Sequence, residues 1–202
     1  MCDPLLFRLN QDPAVSYNMC GDYTYLKEGY YHSLDDELAG VKIKPTMEEM
    51  LDAYVVPLTM EKANLAGINI PRYEILTEKI PSPVLAYPIN PFTTKEIIIK
   101  NPEEAKTKIK TLTMGGKFAM LCQYLPDNYQ IVAVHSILGW TANDEFQELA
   151  QDVFRVFQIP LMRIIVIVDD KHYLFSAIKP LSLKELAKEE RCRLEEVGMW
   201  QE

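Results

Sequence analysis

The chain has 202 residues, 48% of them hydrophobic and 25% charged, and its formal net charge is −8. That length suits one large domain or a domain with a small companion, and the apolar share is ample for a real core. The negative field argues against nucleic acid and against anionic membrane as partners. The longest apolar run, Leu161 to Val168, contains Arg163 and is far too short to span a bilayer. The opening Met1-Cys2-Asp3-Pro4 lacks the basic-then-apolar pattern of a secretory signal, so a cytoplasmic location is expected. Cys2, Cys20, Cys122 and Cys192 form no Cys-x-x-Cys pair and, with scattered histidines, no zinc spacing; a reducing compartment fits them.

The first 45 residues are aromatic and poorly periodic, with Tyr17, Tyr23, Tyr25, Tyr30 and Tyr31 punctuated by Gly21, Gly29 and Gly40. A short helix is predicted from Gly29 through Leu38, stopped by Gly40. Thr46 to Glu49 is a capping box, and Met47, Met50, Leu51 and Tyr54 mark one face of the helix it opens. Pro57 breaks that helix, and a second runs from Thr59 to Gly67. A strand is expected around Tyr73 to Leu76. Pro83 to Ile89 reads as a buried strand with Glu96 to Lys100 as its hairpin partner.

Asn101-Pro102-Glu103-Glu104 is a strong helix start, with Ala105, Ile109 and Leu112 facing inward and Gly115-Gly116 as the stop. Lys100, Lys106, Lys108 and Lys110 on this stretch alternate with Glu103 and Glu104, the pattern of a solvated face. Phe118 to Leu125 and Tyr129 to Leu138 are predicted strands, expected to pair with each other. Phe146, Leu149, Ala150, Val153, Phe154 and Phe157 then form an apolar helical stripe. Strands at Leu161 to Val168 and Tyr173 to Ile178 flank the turn Asp169-Asp170-Lys171. A last helix is expected to open on the capping box Ser182 to Glu185. Helices mixed with hairpin-length connections give an α+β class.

Several of these elements together resemble the ATP-grasp superfamily, nearest to the RimK-type carboxylate–amine ligases. Asp52-Ala53-Tyr54, Glu61-Lys62-Ala63 and Leu65 to Pro71 are similar to the family's first helix and the turn that ends it. Pro83 to Ile89 resembles the strand that brings a lysine to the nucleotide phosphates. Gln123-Tyr124-Leu125-Pro126 resembles the hinge strand whose backbone meets adenine, and Ile164 to Pro180 the final hairpin. Tyr23-Thr24-Tyr25, Gly29-Tyr30-Tyr31, Ser33-Leu34, Glu37 and Pro45 are a weaker echo of the domain preceding some RimK-like grasps. The resemblance implies an abbreviated ATP-grasp-like core of antiparallel sheet with packed helices over residues 46–202. Residues 1–45 are then a tyrosine-rich remnant of the preceding domain.

The departures from the family pattern bear on function. Such a ligase needs cations on the phosphates and hard oxygen ligands for magnesium. The two lysine positions carry Ala53 and Tyr87; the glutamate and asparagine positions of the final hairpin carry Ser176 and Ile178. The phosphate-covering loop is replaced by Asn90-Pro91-Phe92-Thr93-Thr94, and Gly115-Gly116-Lys117 reads as a helix stop. The stretch from Leu138 to Phe146 is too short for the strand that supplies an arginine and an asparagine.

The resemblance with these losses implies a non-catalytic homologue, a structural or regulatory subunit for a partner protein or in a homo-oligomer, without cofactor. It would keep a vestigial cleft lined by Tyr87, Lys95, Gln123, Tyr124 and Leu125. Two alternatives stand: a divergent carboxylate–amine ligase using ATP and magnesium, or a small-molecule binder reusing the cleft. The ligase reading calls on Lys95, Lys117 or Lys179 for charge and on Asp169 or Asp170 for magnesium. Against those roles stand a solvated hairpin lysine at Lys95 and turn-serving acids at Asp169 and Asp170. His135, between apolar neighbours, reads as a hydrogen-bonded structural residue. For Tyr23, Tyr25, Tyr30 and Tyr31 both core packing and partner contact remain open.

Overall fold

The computed structural model describes residues 6–90, 95–169 and 172–201. It divides into two compact units, each built from discontinuous stretches of chain. The first comprises the described residues up to Tyr54, Ala133–Ile164 and Ile178 onward; the second comprises Val55–Val132 and Ile165–Ala177.

The first unit opens with strands β1 (Leu6–Leu9) and β2 (Asp12–Asn18), followed by helix α1 (Glu28–Leu38), strand β3 (Ile43–Lys44) and helix α2 (Met47–Tyr54). Its later parts supply helices α5 (Gln147–Phe157) and α6 (Lys188–Val197) and the closing strand β11 (Gly198–Trp200). These strands form a sheet of order β11-β1-β2-β3, with β1 antiparallel to both neighbours and β3 parallel to β2. None of the four was foreseen in the sequence. In β2 the first residues are exposed while Ser16, Tyr17 and Asn18 are buried in succession, so no alternation announces a strand. Gly198 makes β11 possible: a Cβ there would lie 2.2 Å from the Arg8 carbonyl oxygen and 2.6 Å from the Phe7 ring. Phe7, Tyr17, Met19, Leu161, Leu181, Leu186 and Leu194 pack as the core of this unit.

Asn18 ties β2 to α1. Its amide donates to the Gly29 carbonyl at 2.9 Å and to Ser33 Oγ at 3.0 Å, while its Oδ1 accepts from the Cys20 N–H at 3.1 Å. Tyr23 donates its hydroxyl to the Asn18 carbonyl at 2.7 Å. The Thr46–Glu49 capping box forms as read, with the Thr46 N–H donating to Glu49 Oε2 at 2.8 Å and the Glu49 N–H to Thr46 Oγ1 at 3.3 Å.

The second unit begins with helix α3 (Val56–Leu65), where Pro57 sits in the first turn and needs no amide partner. Strands β4 (Tyr73–Leu76), β5 (Val84–Pro88), β6 (Ile97–Ile99) and β7 (Met120–Tyr124) form an antiparallel sheet of order β4-β7-β5-β6. Helix α4 (Pro102–Leu112) is capped by Asn101, whose side chain accepts from the Glu104 N–H. Its Ala105 and Leu112 pack with Val84, Ala86, Ile99, Met120 and Cys122 on one face of the sheet.

Strands β8 (Gln130–Ile137), β9 (Leu161–Val168) and β10 (Tyr173–Pro180) make a third sheet of order β10-β9-β8. The expected pairing of β8 with β7 does not occur: β7 already has β4 on one side and β5 on the other, and β8 pairs with β9 instead. A second correction concerns the Ser182–Glu185 capping box. It is present but closes a 3₁₀ turn at Leu183–Glu185; Leu186 is extended, and α6 begins afresh at Lys188. Among the described residues no helix is long and apolar enough to cross a membrane.

Candidate functional site

Strand alternation decides which residues of β5 and β7 meet the candidate site. Val84 and Ala86 on β5, and Met120 and Cys122 on β7, face α4. Tyr87 and Gln123 consequently project from the opposite face. Both are fully enclosed, as is Ser176 on β10. Ser176 Oγ donates to Gln123 Oε1 at 2.5 Å, and because a hydroxyl has one proton, Tyr87 is the donor in its 2.8 Å contact with Ser176 Oγ. Gln123 Nε2 donates to the Ser176 carbonyl at 2.8 Å and approaches Met60 Sδ at 3.3 Å. Each of the three side chains thus has at least one buried hydrogen-bond partner, as buried polar groups require.

This cluster carries no charge. Burial pushes the Tyr87 phenol well above its ordinary value, only partly offset by its hydrogen bond to Ser176. The Cys122 thiol is pushed up to about 12, by burial first and by Glu74 second. Neither group is an activated nucleophile or a base. The two other positions that matter for the family, Ala53 and Ile178, belong to the first unit and are buried hydrocarbons. None of these four side chains carries a charge. Among the described residues no group of three or more His, Cys, Asp or Glu side chains is placed to hold a metal ion.

The remaining cleft candidates are not all assembled with this cluster. Tyr124 is half-buried, donates its hydroxyl to Glu74 Oε1 at 2.8 Å and lies with its ring 4.9 Å from the Arg72 guanidinium carbon. Its phenol is raised chiefly by that bond to Glu74. Leu125 is buried. The hinge N–H groups expected to face adenine are used internally: Tyr124 donates to the Arg72 carbonyl at 2.9 Å and Leu125 to the Pro83 carbonyl at 3.2 Å. Lys95 and Lys117 are exposed. The Asn90–Thr94 replacement loop lies, beyond Asn90, outside the described residues, as do Asp170 and Lys171. Asp169 serves its turn, accepting the His172 N–H at 2.8 Å.

The tyrosines divide. Tyr23 and Tyr30 are buried in the first unit, whereas Tyr25 and Tyr31 are each 46% exposed. Tyr30 holds the two exposed rings edge-on, at 5.3 Å from Tyr25 and 5.7 Å from Tyr31. Sequence reasoning missed the partner of His135. Its Nδ1 lies 3.1 Å from Glu190 Oε1, a carboxylate buried at the start of α6 and 55 residues away. No local pattern signals such a pair.

The class of fold follows from comparison with solved structures. A RimK domain ATP-grasp protein from Sphaerobacter thermophilus DSM 20745 matches 90% of this chain and 77% of its own at a TM-score of 0.64 and 13% identity. D-alanine–D-alanine ligase from Bacillus anthracis matches 81% of this chain and 69% of its own at 0.61 and 10%. The ATP-grasp ligase PsnB, solved with a phosphomimetic variant of its minimal precursor, Mg and ADP, matches 79% of this chain at 0.52 and 11%; this chain spans 59% of PsnB. At such identities the likeness is one of fold, and the fold is ATP-grasp. The chain belongs to the RimK-like ATP-grasp N-terminal domain family, whose model matches residues 8–197. That single match runs through both the tyrosine-rich segment and the stretch resembling the ligase core. No curated protein matches the chain in sequence.

Proposed function

We propose that this chain is a non-catalytic ATP-grasp-fold protein that serves as a structural or regulatory subunit for a partner protein. The observation that carries the reading is the closed Tyr87–Ser176–Gln123 network. Where the family resemblance puts a phosphate lysine and a magnesium carboxylate, two neutral side chains bond each other, and neither brings a charge to a nucleotide. The description of the family as the N-terminal domain of RimK-like ATP-grasps favours a catalytic ATP-grasp chain as the partner. The exposed Tyr25 and Tyr31 rings are the surface offered to it.

A second reading, an ATP- and magnesium-dependent carboxylate–amine ligase, is favoured by the ligands in the PsnB complex. Thermal unfolding with and without magnesium-ATP decides between the two. A ligand at about 100 times its dissociation constant stabilises by about 2.7 kcal/mol, which raises the midpoint by roughly 5–11 °C at about 2–4 °C per kcal/mol for a chain of this size. We expect no shift. A magnesium-dependent rise of that order refutes the non-catalytic assignment and puts the ligase first.

A further inference from the structure

We infer that the cavity beside the β1–β2 turn of the first unit is a binding site for a small apolar monocarboxylate, held through the Nε edge of Arg193. This inference does not depend on the non-catalytic reading.

The cavity has a volume of about 420 Å³. That lies within the range of small-molecule sites, roughly 300–1,000 Å³. Asn10 enters from the β1–β2 turn, Leu138 and Trp140 from the tight turn after β8, and Arg193, Glu196 and Val197 from α6. The backbone around it is held in place. The Asn10 N–H donates to the Val197 carbonyl at 3.0 Å, and Ile137 and Trp140 exchange backbone hydrogen bonds at 2.8 and 2.9 Å. Leu138 donates to the Pro160 carbonyl at 2.8 Å. Walls fixed in this way need little reorganisation on binding.

Arg193 supplies the chemistry. Its Nη1 pairs with Glu196 Oε2 at 3.2 Å. Its Nε is buried and has no hydrogen-bond partner among the described residues. A guanidinium presents five N–H donors in a planar fork that matches the two oxygens of a carboxylate. With Nη1 engaged by Glu196, the Nε edge is the one that lacks its acceptor, and a carboxylate supplies it. Trp140 does not clamp the guanidinium: its ring centroid is 6.0 Å from Cζ, at the outer limit of a cation–π contact. Arg193 lines the cavity together with the Trp140 ring, Leu138 and Val197, which offer an apolar bed.

The charge balance sets the ligand class. Arg193 is the single cation among the described lining residues, and Glu196 stands beside it. One carboxylate is matched there, whereas a phosphate dianion meets too little positive charge. A free organic acid and the C-terminus of an apolar peptide share this chemistry.

The test is a titration of the full ¹⁵N-labelled chain, followed by NMR at the Arg193 Nε–H and Trp140 indole signals. Phenylacetate and its neutral isostere phenylacetamide are the probes. The Trp200 indole, packed edge-on against Phe7 at 5.2 Å, serves as the internal reference. We expect phenylacetate to move both reporter signals saturably and to bind about tenfold or more tightly than the amide. Arg193→Lys keeps the charge but loses the fork, and should weaken phenylacetate binding by a similar factor. A phenylalanine-terminated tetrapeptide, as free acid and as C-terminal amide, distinguishes the sources. A free-acid peptide that binds as well as phenylacetate assigns the site to a protein C-terminus; binding of phenylacetate alone assigns it to a free acid. Equal binding of acid and amide by the wild-type chain, or an unmoved Nε–H signal, overturns the proposal without recourse to any variant.

Discussion

At the scale of single residues, the Tyr87–Ser176–Gln123 network yields the sharpest stability prediction. Ser176→Ala removes one hydroxyl but strands two buried groups, the Tyr87 O–H and Gln123 Oε1. Each stranded group costs about 1–3 kcal/mol, so we expect a loss near the top of that range in urea denaturation. Tyr87→Phe, which removes the outermost donor and leaves the Ser176–Gln123 bond in place, should cost about 1 kcal/mol. Equal losses in the two variants would mean that the network is not organised around Ser176.

Glu185 governs a pH effect at the same scale. Its carboxylate accepts the Ser182 N–H and pairs with Arg163, and in that order these hold its pKa below the usual 4.5. A depressed folded pKa means that the stabilisation is present above the unfolded value and is lost as pH falls through the folded one. The stability difference between wild type and Glu185→Gln should therefore be constant near neutrality and shrink below 4.5. Urea midpoints measured across the acid range check it. The carboxylate is largely exposed, so the difference is small.

At the scale of elements, helix ends were read from sequence with mixed success, for a physical reason. The Thr46–Glu49 and Asn101 caps work because their partners lie within three residues, and the residues that follow continue the helix. Ser182 and Glu185 bond each other just as well, yet Leu186 leaves the helical region and buries its side chain in the core of the first unit. Tertiary burial overrides a locally valid start. Helix α6 is started instead by Glu190, which accepts the Ala187 N–H at 2.7 Å and receives His135 at 3.1 Å. Glu190→Ala breaks both and should cost about 2 kcal/mol in urea denaturation, double the usual effect of losing a cap alone. A loss below about 0.5 kcal/mol, the level of an ordinary surface change, would show that neither bond matters.

At the scale of the whole molecule, the partner reading rests on exposed rings in an acidic chain. Tyr25 and Tyr31 lean on the buried Tyr30, so their positions are held without a partner. If they form the docking surface, the Tyr25→Ser, Tyr31→Ser variant should lose co-purification with an ATP-grasp chain by about tenfold or more. Its unfolding free energy should fall only by the lost ring contacts, about 0.5–1.5 kcal/mol per pair. Undiminished co-purification would move the surface elsewhere. A wild-type dimer in sedimentation that the same variant disperses would assign the rings to a second copy of this chain.

Most of the elements and the resemblance to ATP-grasp ligases are legible in the amino-acid order alone, because helical periods, caps and turn residues act within a few positions. Strands β4 to β7, helix α4 and the apolar stripe of α5 were all legible in that way. So was the replacement of charge at Tyr87 and Ser176. That these two residues bond each other across 89 positions, and that Gln123 joins them across 53, emerges from the folded chain. It also decided that β8 takes β9 rather than β7, that Tyr23 and Tyr30 are core while Tyr25 and Tyr31 are surface, and that His135 faces Glu190. These are contacts between distant stretches of chain, set by which faces and edges remain open after local structure has formed, and no local pattern encodes them.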